Sequence, residues 1–147
     1  MIAIEIQTGL WLGNEKAVNN LNFIKMNNII KIINCNKYLN YSSHKYKSPL
    51  KEKLEANEIK HTIKFLLKIT EFIFNNLKNQ NNTLIYCHNN LNISISVIIA
   101  FMMRYGKMNK ENTVNILKSK INSISISSIS NTSLNYFEKH LLTCGII

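Results

Sequence analysis

Apolar and polar positions alternate from Ile2 to Ile6, which predicts a strand. Thr8-Gly9 is a turn, and Leu10-Trp11-Leu12, closed by Gly13, predicts a second short strand. Asn14 is placed to cap a helix running through Ala17-Val18 to Met26. Ile29 to Cys35 is short and rich in isoleucine, the pattern of a buried strand. A lysine-rich polar loop follows, with a candidate strand over 44–48 that Pro49 stops. Ile59, Ile63, Leu66, Thr70, Ile73 and Leu77 then recur at helical spacing, and Lys60, Lys64 and Lys68 form a stripe on another face. Thr83 to Cys87 reads as a compact strand, and the apolar stretch Ile93 to Tyr105 as a buried helix ended by Gly106. Asn109 caps a further helix to about Lys118. An Ile/Ser-rich segment over 121–130 reads as an irregular connection, and Thr132 or Ser133 caps a last helix through Leu142.

Strands and helices in this order predict an α/β fold: one domain over 1–147, with a mainly parallel central sheet flanked by helices. At 147 residues the chain suits one core, and 46% hydrophobic with 18% charged residues excludes a disordered polymer. Its strongest apolar run, Val97 to Met103, is far shorter than the roughly 20 residues of a membrane span. Glu5 interrupts the first apolar stretch, so a signal peptide is not expected. The three cysteines, Cys35, Cys87 and Cys144, are odd in number and widely spaced, which suits a reducing compartment. No CxxC pair or close His/Cys spacing suggests a metal, and no cofactor is expected.

Two residue counts narrow the chemistry. All eight acidic residues are glutamates, and seventeen of the eighteen basic residues are lysines; the exception is Arg104. A mechanism needing aspartate, or arginine elsewhere, is excluded. The 24 asparagines and 24 isoleucines point to an AT-biased genome, which also gives lysine a route to displace arginine. The net charge of +10 favours anionic partners, although a lysine-coated soluble surface accounts for it equally simply.

In α/β folds ligands gather where a strand's carboxyl end enters a helix. Here that place is Cys87-His88-Asn89-Asn90-Leu91-Asn92-Ile93-Ser94. Backbone N–H groups of such a turn can cradle an anion, aided by the helix N-terminus, and would stabilise a thiolate. A buried, inert cysteine ending a strand is the plainer alternative.

At this point the chain resembles the dual-specificity phosphatases, in the cysteine-dependent protein tyrosine phosphatase superfamily. Leu10-Trp11-Leu12-Gly13-Asn14 is similar to the family's opening strand, and Ile32-Ile33-Asn34-Cys35 to the strand after its first helix. Leu84-Ile85-Tyr86-Cys87 resembles the strand entering the signature loop, a pattern of His-Cys, five residues, then Arg-Ser/Thr. The helices containing Val97 to Met103, Met108 with Val114, and Asn131 with Leu134 and Phe137 resemble those that follow.

The resemblance implies a cysteine nucleophile, an arginine clamp on phosphate and an aspartate general acid. Cys87 takes the nucleophile position and Ser94 the hydroxyl position, but the arginine position holds Ile93. Asn90 stands for the loop glycine and Tyr86 for the histidine before the cysteine. Asn90 is the mildest change, because asparagine tolerates the left-handed conformation. Glu52, near Pro49, is the best carboxylate for the acid. Isoleucine forfeits two charge-assisted bonds of about 1.5–3 kcal/mol each, and a missing acid costs roughly 10²–10⁴ in rate. His88 could supply some positive charge, but a solvent-facing orientation is the simpler expectation.

These losses imply a catalytically inactive, phosphatase-like binding module. A residually active phosphatase using Cys87, with Glu52 as acid and a lysine as clamp, is the second reading; a basic nucleic-acid-binding module is the third. The expected partner is a protein, either a phosphoprotein or an acidic one, with nucleic acid the weaker alternative and no membrane. Oligomeric state is left open. A cytoplasmic setting is expected. Poxviruses carry a dual-specificity phosphatase, so a poxviral source, acting in the host cytoplasm or the virion, is one reading of the AT bias.

Overall fold

A computed structural model describes residues 3–35, 56–87, 92–121 and 128–147. Among these residues, four strands form one sheet in the order β1-β2-β4-β3. They are β1 (Ala3–Gln7), β2 (Leu10–Gly13), β3 (Lys31–Asn34) and β4 (Thr83–Tyr86). β1 and β2 pair antiparallel around the Thr8-Gly9 turn, whose Gly9 has φ 85°, a conformation glycine adopts at no steric cost. β2 and β3 both run parallel to β4, so the sheet is α/β and mainly parallel, as its sequence pattern implies. The candidate strand over 44–48 lies outside the described residues.

Side chains alternate across the sheet. Leu10, Leu12, Ile33 and Ile85 enter the main core. Leu84 and Trp11 face the other way, into a smaller cluster with Ala17 and Ile29. Two short helices, α1 (Glu15–Val18) and α2 (Leu21–Met26), cover that second face. The Trp11 and Phe23 rings meet edge-on at 5.3 Å between centroids, which seats α2 on the strand. The single helix expected from Asn14 to Met26 is thus two helices. The Asn20 side chain accepts a hydrogen bond from the Phe23 amide at 3.0 Å, restarting the helix after the break.

On the main-core face lie α3 (Ala56–Lys78), α4 (Asn92–Gly106), α5 (Lys110–Lys120) and α6 (Ser128–Thr143). Helix α4 is the axle, packed against α3, α5 and α6. Every residue from Ser94 to Met103 is buried, which matches the central buried helix read from the apolar run. It ends one residue later than expected. Lys107, not Gly106, takes the left-handed turn (φ 54°), and the Met108 amide closes back on the Met103 carbonyl at 3.2 Å.

Two further expectations are corrected. Helix α3 buries Thr62, Phe65, Leu66, Ile69, Thr70, Ile73 and Asn76, while Ile59, Ile63 and Leu77 are only half-buried. Its core face is therefore rotated toward Phe65 and Ile69, and Lys60, Lys64 and Lys68 remain exposed as expected. Helix α6 begins at Ser128, so Thr132 and Ser133 are internal rather than capping, and Ser133 is buried. Of the Ile/Ser-rich segment, residues 128–130 are helical and 122–127 lie outside the described residues.

Candidate functional site

Strand β4 is an interior strand, with β2 and β3 on either side. Thr83, Leu84 and Ile85 are fully buried and fix its position. Its carboxyl end therefore delivers Cys87 to a rigidly held point at the edge of the core. Helix α4 starts five residues later and turns Ser94 back toward it. Cys87 Sγ and Ser94 Oγ lie 3.3 Å apart, both buried. A hydroxyl at this distance can donate to a thiolate, and the N-terminal end of a long helix adds partial positive charge nearby. The sequence placed these two residues seven apart in one motif, and the fold brings them into contact.

Ile93 is half-buried and packs against the main core. It offers no hydrogen-bond donor at the position where the resemblance expects a guanidinium. The only arginine, Arg104, follows ten residues after Ser94, about 15 Å farther along the helix axis. Its guanidinium is committed to helix packing: Nη1 donates to the Leu67 carbonyl at 2.8 Å and to Thr70 Oγ1 at 3.1 Å. It also lies 4.9 Å from the centre of the Tyr105 ring.

His88, Asn89, Asn90 and Leu91 lie outside the described residues, as does Glu52. Asn92 opens α4. Tyr86 is half-buried between Gly13 and Asn34 of the neighbouring strands, on the sheet face opposite Cys87.

The fold adds Cys35, which sequence reasoning treated only as the end of a strand. Asn34 pairs with Tyr86, so the next residues, Cys35 and Cys87, leave the sheet side by side on the main-core face. Burial pushes the Cys35 thiol well above its ordinary pKa, and the neighbouring Cys87 adds to that rise. The signal was available in principle, because both parallel strands end on a polar residue followed by cysteine. Reading it required their register. Among the described residues, no group of three or more His, Cys, Asp or Glu is arranged to hold a metal. No helix of the described residues is long and apolar enough to cross a membrane.

Solved structures share this fold. A leucine rich repeat and phosphatase domain containing protein from Entamoeba histolytica superposes with a TM-score of 0.71 at 23% identity, covering 97% of this chain and 94% of that one. The human tyrosine phosphatase-like serine/threonine/tyrosine-interacting protein gives 0.73 at 18% identity, covering 95% and 97%. At these identities the likeness speaks for the fold. No curated protein sequence matches the chain. The sequence does match the dual specificity phosphatase catalytic domain over residues 10–140, a span that contains β2, β3, β4, the Cys87–Ser94 contact and most of α6. With that match covering most of its length, the chain belongs to the dual-specificity phosphatase family.

Proposed function

We propose that this family member is a pseudophosphatase, a phosphatase fold retained as a binding module for an acidic or phosphorylated protein. One observation carries the reading. Cys87 and Ser94 make a 3.3 Å contact, while the residue just before Ser94 in the motif is a core-packing isoleucine and the only arginine is tied to α3. The nucleophile position survives without the group that would hold its phosphate. Phosphoryl transfer depends mostly on positioning and electrostatic stabilisation, so that loss falls on the largest contribution. The absence of aspartate removes the usual acid as well.

The lysine stripe supports an anionic partner. α3 feeds β4 through only four residues, so the two run antiparallel. At 1.5 Å per residue the 23-residue helix is about 34 Å long, whereas β4 is about 13 Å. The N-terminal part of α3 thus extends past the end of β4 that bears Cys87, and exposed Lys60, Lys64 and Lys68 lie along the helix. The same stripe supports nucleic acid as a second reading. The human structural relative is itself named phosphatase-like and interacting. The odd number and wide spacing of Cys35, Cys87 and Cys144 fit a reducing, cytoplasmic setting.

Hydrolysis of a small aryl phosphate separates binder from enzyme: the proposal expects none. Salt-dependent retention on nucleic acid tests the second reading, because phosphate-backbone binding weakens steeply with salt.

A further inference from the structure

We propose that His140 and Cys144 are half of a zinc site, which two copies of this chain complete as a tetrahedral centre of two cysteines and two histidines. The two residues stand four apart at the end of α6. The Cys144 amide donates to the His140 carbonyl at 3.0 Å, so helical spacing carries on to Cys144 and puts both side chains on one face. His140 Nε2 and Cys144 Sγ lie 3.6 Å apart. Zinc bonds of about 2.3 Å to sulfur and 2.0–2.1 Å to nitrogen, set at a tetrahedral angle, hold their two ligand atoms about 3.5–3.6 Å apart. The pair therefore stands at ligand spacing before any metal arrives. Sequence reasoning passed over it because one chain supplies only two ligands, and no group of three or more stands together among the described residues.

Two ligands leave two positions open, and a structural zinc ion is closed by four protein ligands. A second copy supplies the same pair through a two-fold contact, in which one patch meets itself. This end of the helix is open to such an approach. Leu142, Thr143, Cys144 and Gly145 are all exposed, and a methyl group on Gly145 would meet nothing within 4 Å. The backbone is nevertheless fixed. The Gly145 amide donates to the Leu142 carbonyl at 3.1 Å and the Ile146 amide to the Leu141 carbonyl at 2.9 Å, while Ile146 and Ile147 pack against the main core. Charge does not oppose the contact: residues 141–147 carry no charged side chain, although the chain as a whole is +10. On binding, each Cys144 thiol gives its proton to solvent as its Zn–S bond forms, each imidazole donates a nitrogen lone pair, and the metal sheds its waters. Two thiolates cancel the charge of one zinc ion, so the closed centre is neutral between two basic chains. The inference stands independently of the binding reading, since it uses neither Cys87 nor phosphate chemistry.

The test uses the full chain without an affinity tag, reduced with a phosphine and stripped of metal. Cobalt(II), a spectroscopic stand-in for zinc, is titrated in. The expected result is the visible absorption of tetrahedral cobalt and a near-ultraviolet thiolate-to-cobalt band, both levelling off at about one metal per two chains. Zinc chloride should displace the cobalt, and light scattering should show the mass double with zinc and return with EDTA. His140→Ala and Cys144→Ala should each melt like wild type, lose at least about tenfold in zinc affinity, and fail to double in mass. The wild-type stoichiometry and mass need neither residue replaced, so a misfolded variant leaves the test intact. Absence of the thiolate band, a band that persists in both variants because other thiols hold the metal, or saturation at one metal per chain with no change in mass would overturn the proposal.

Discussion

Replacing Ile93 with arginine should turn a weak anion turn into a phosphate site. The side chain lies half-buried against the main core, next to Ser94 and one residue from the start of α4. Burying an isoleucine fully is worth about 1.5–3 kcal/mol, so losing half of that burial costs roughly 1 kcal/mol of stability. The Cys87–Ser94 contact does not involve its side chain. A guanidinium brings two charge-assisted bonds to phosphate, about 3–6 kcal/mol in a dry site and less in an open one. Even a retained 1.4 kcal/mol is about tenfold in affinity. Without the arginine, neutral N–H donors and a helix end worth about 0.3–1 kcal/mol are what an anion meets. Calorimetric titration with inorganic phosphate at low salt would compare wild type with Ile93→Arg, with thermal melts of both as a folding control. The expectation is weak or undetectable binding by wild type and at least a tenfold gain in the variant, shrinking as salt rises. Ile93→Lys should gain less, since a point charge lacks the bidentate geometry. A folded arginine variant with no gain would mean that the turn does not present its N–H groups to an anion, and the argument would fail.

Arg104→Ala should destabilise the fold by roughly 2–3 kcal/mol in denaturant melts, because the Leu67 carbonyl and Thr70 hydroxyl lose a charged donor and the α3–α4 seam loosens; Arg104→Lys should recover part of this, and an Arg104→Ala protein as stable as wild type would contradict the packing role. Lys107→Gly should raise stability by about 0.5–1 kcal/mol, since an exposed residue at φ 54° gives up left-handed strain and few contacts; an unchanged or lower melting temperature would count against it. The raised pKa of Cys35 makes stability fall with alkali: above the ordinary thiol value of about 8.5 the unfolded chain releases this proton while the folded one keeps it. The contribution is full below about pH 8.5 and is lost as pH rises toward the folded value, at up to about 1.4 kcal/mol per pH unit. Melting curves from pH 7.5 to 9.5 should show a steeper decline for wild type than for Cys35→Ala, and equal slopes would sink the assignment.

The parts of the fold that sequence made legible are those that burial dictates. Val97 to Met103 has no polar gap, so α4 had to be central, and Asn109 caps α5 by accepting from the Asn112 amide at 2.8 Å as its position suggested. The parts that misled share a cause. With 24 asparagines, cap residues are too common to mark boundaries, and the restart at Asn20 was not distinguishable from an asparagine within a helix. In 121–130, isoleucine and serine alternate without helical period, yet the last three of those residues are helical and lead into Leu134, Phe137 and Leu141, which bury α6. At the site, Cys87 and Ser94 were readable because they lie seven positions apart in one motif. Cys35 was not, because its place beside Cys87 depends on the register of strands 52 positions apart. Arg104 was visible as a lone arginine, but its partners on α3 come only from packing.

The central claim is that a nucleophile position without a phosphate clamp binds but does not turn over. The most direct measurement is release of inorganic phosphate from phosphotyrosine and phosphothreonine peptides by the wild-type chain beside Cys87→Ser. The account predicts that the two proteins are indistinguishable from the uncatalysed background. Turnover by wild type well above that background, and lost in Cys87→Ser, would contradict it and make the protein an active phosphatase.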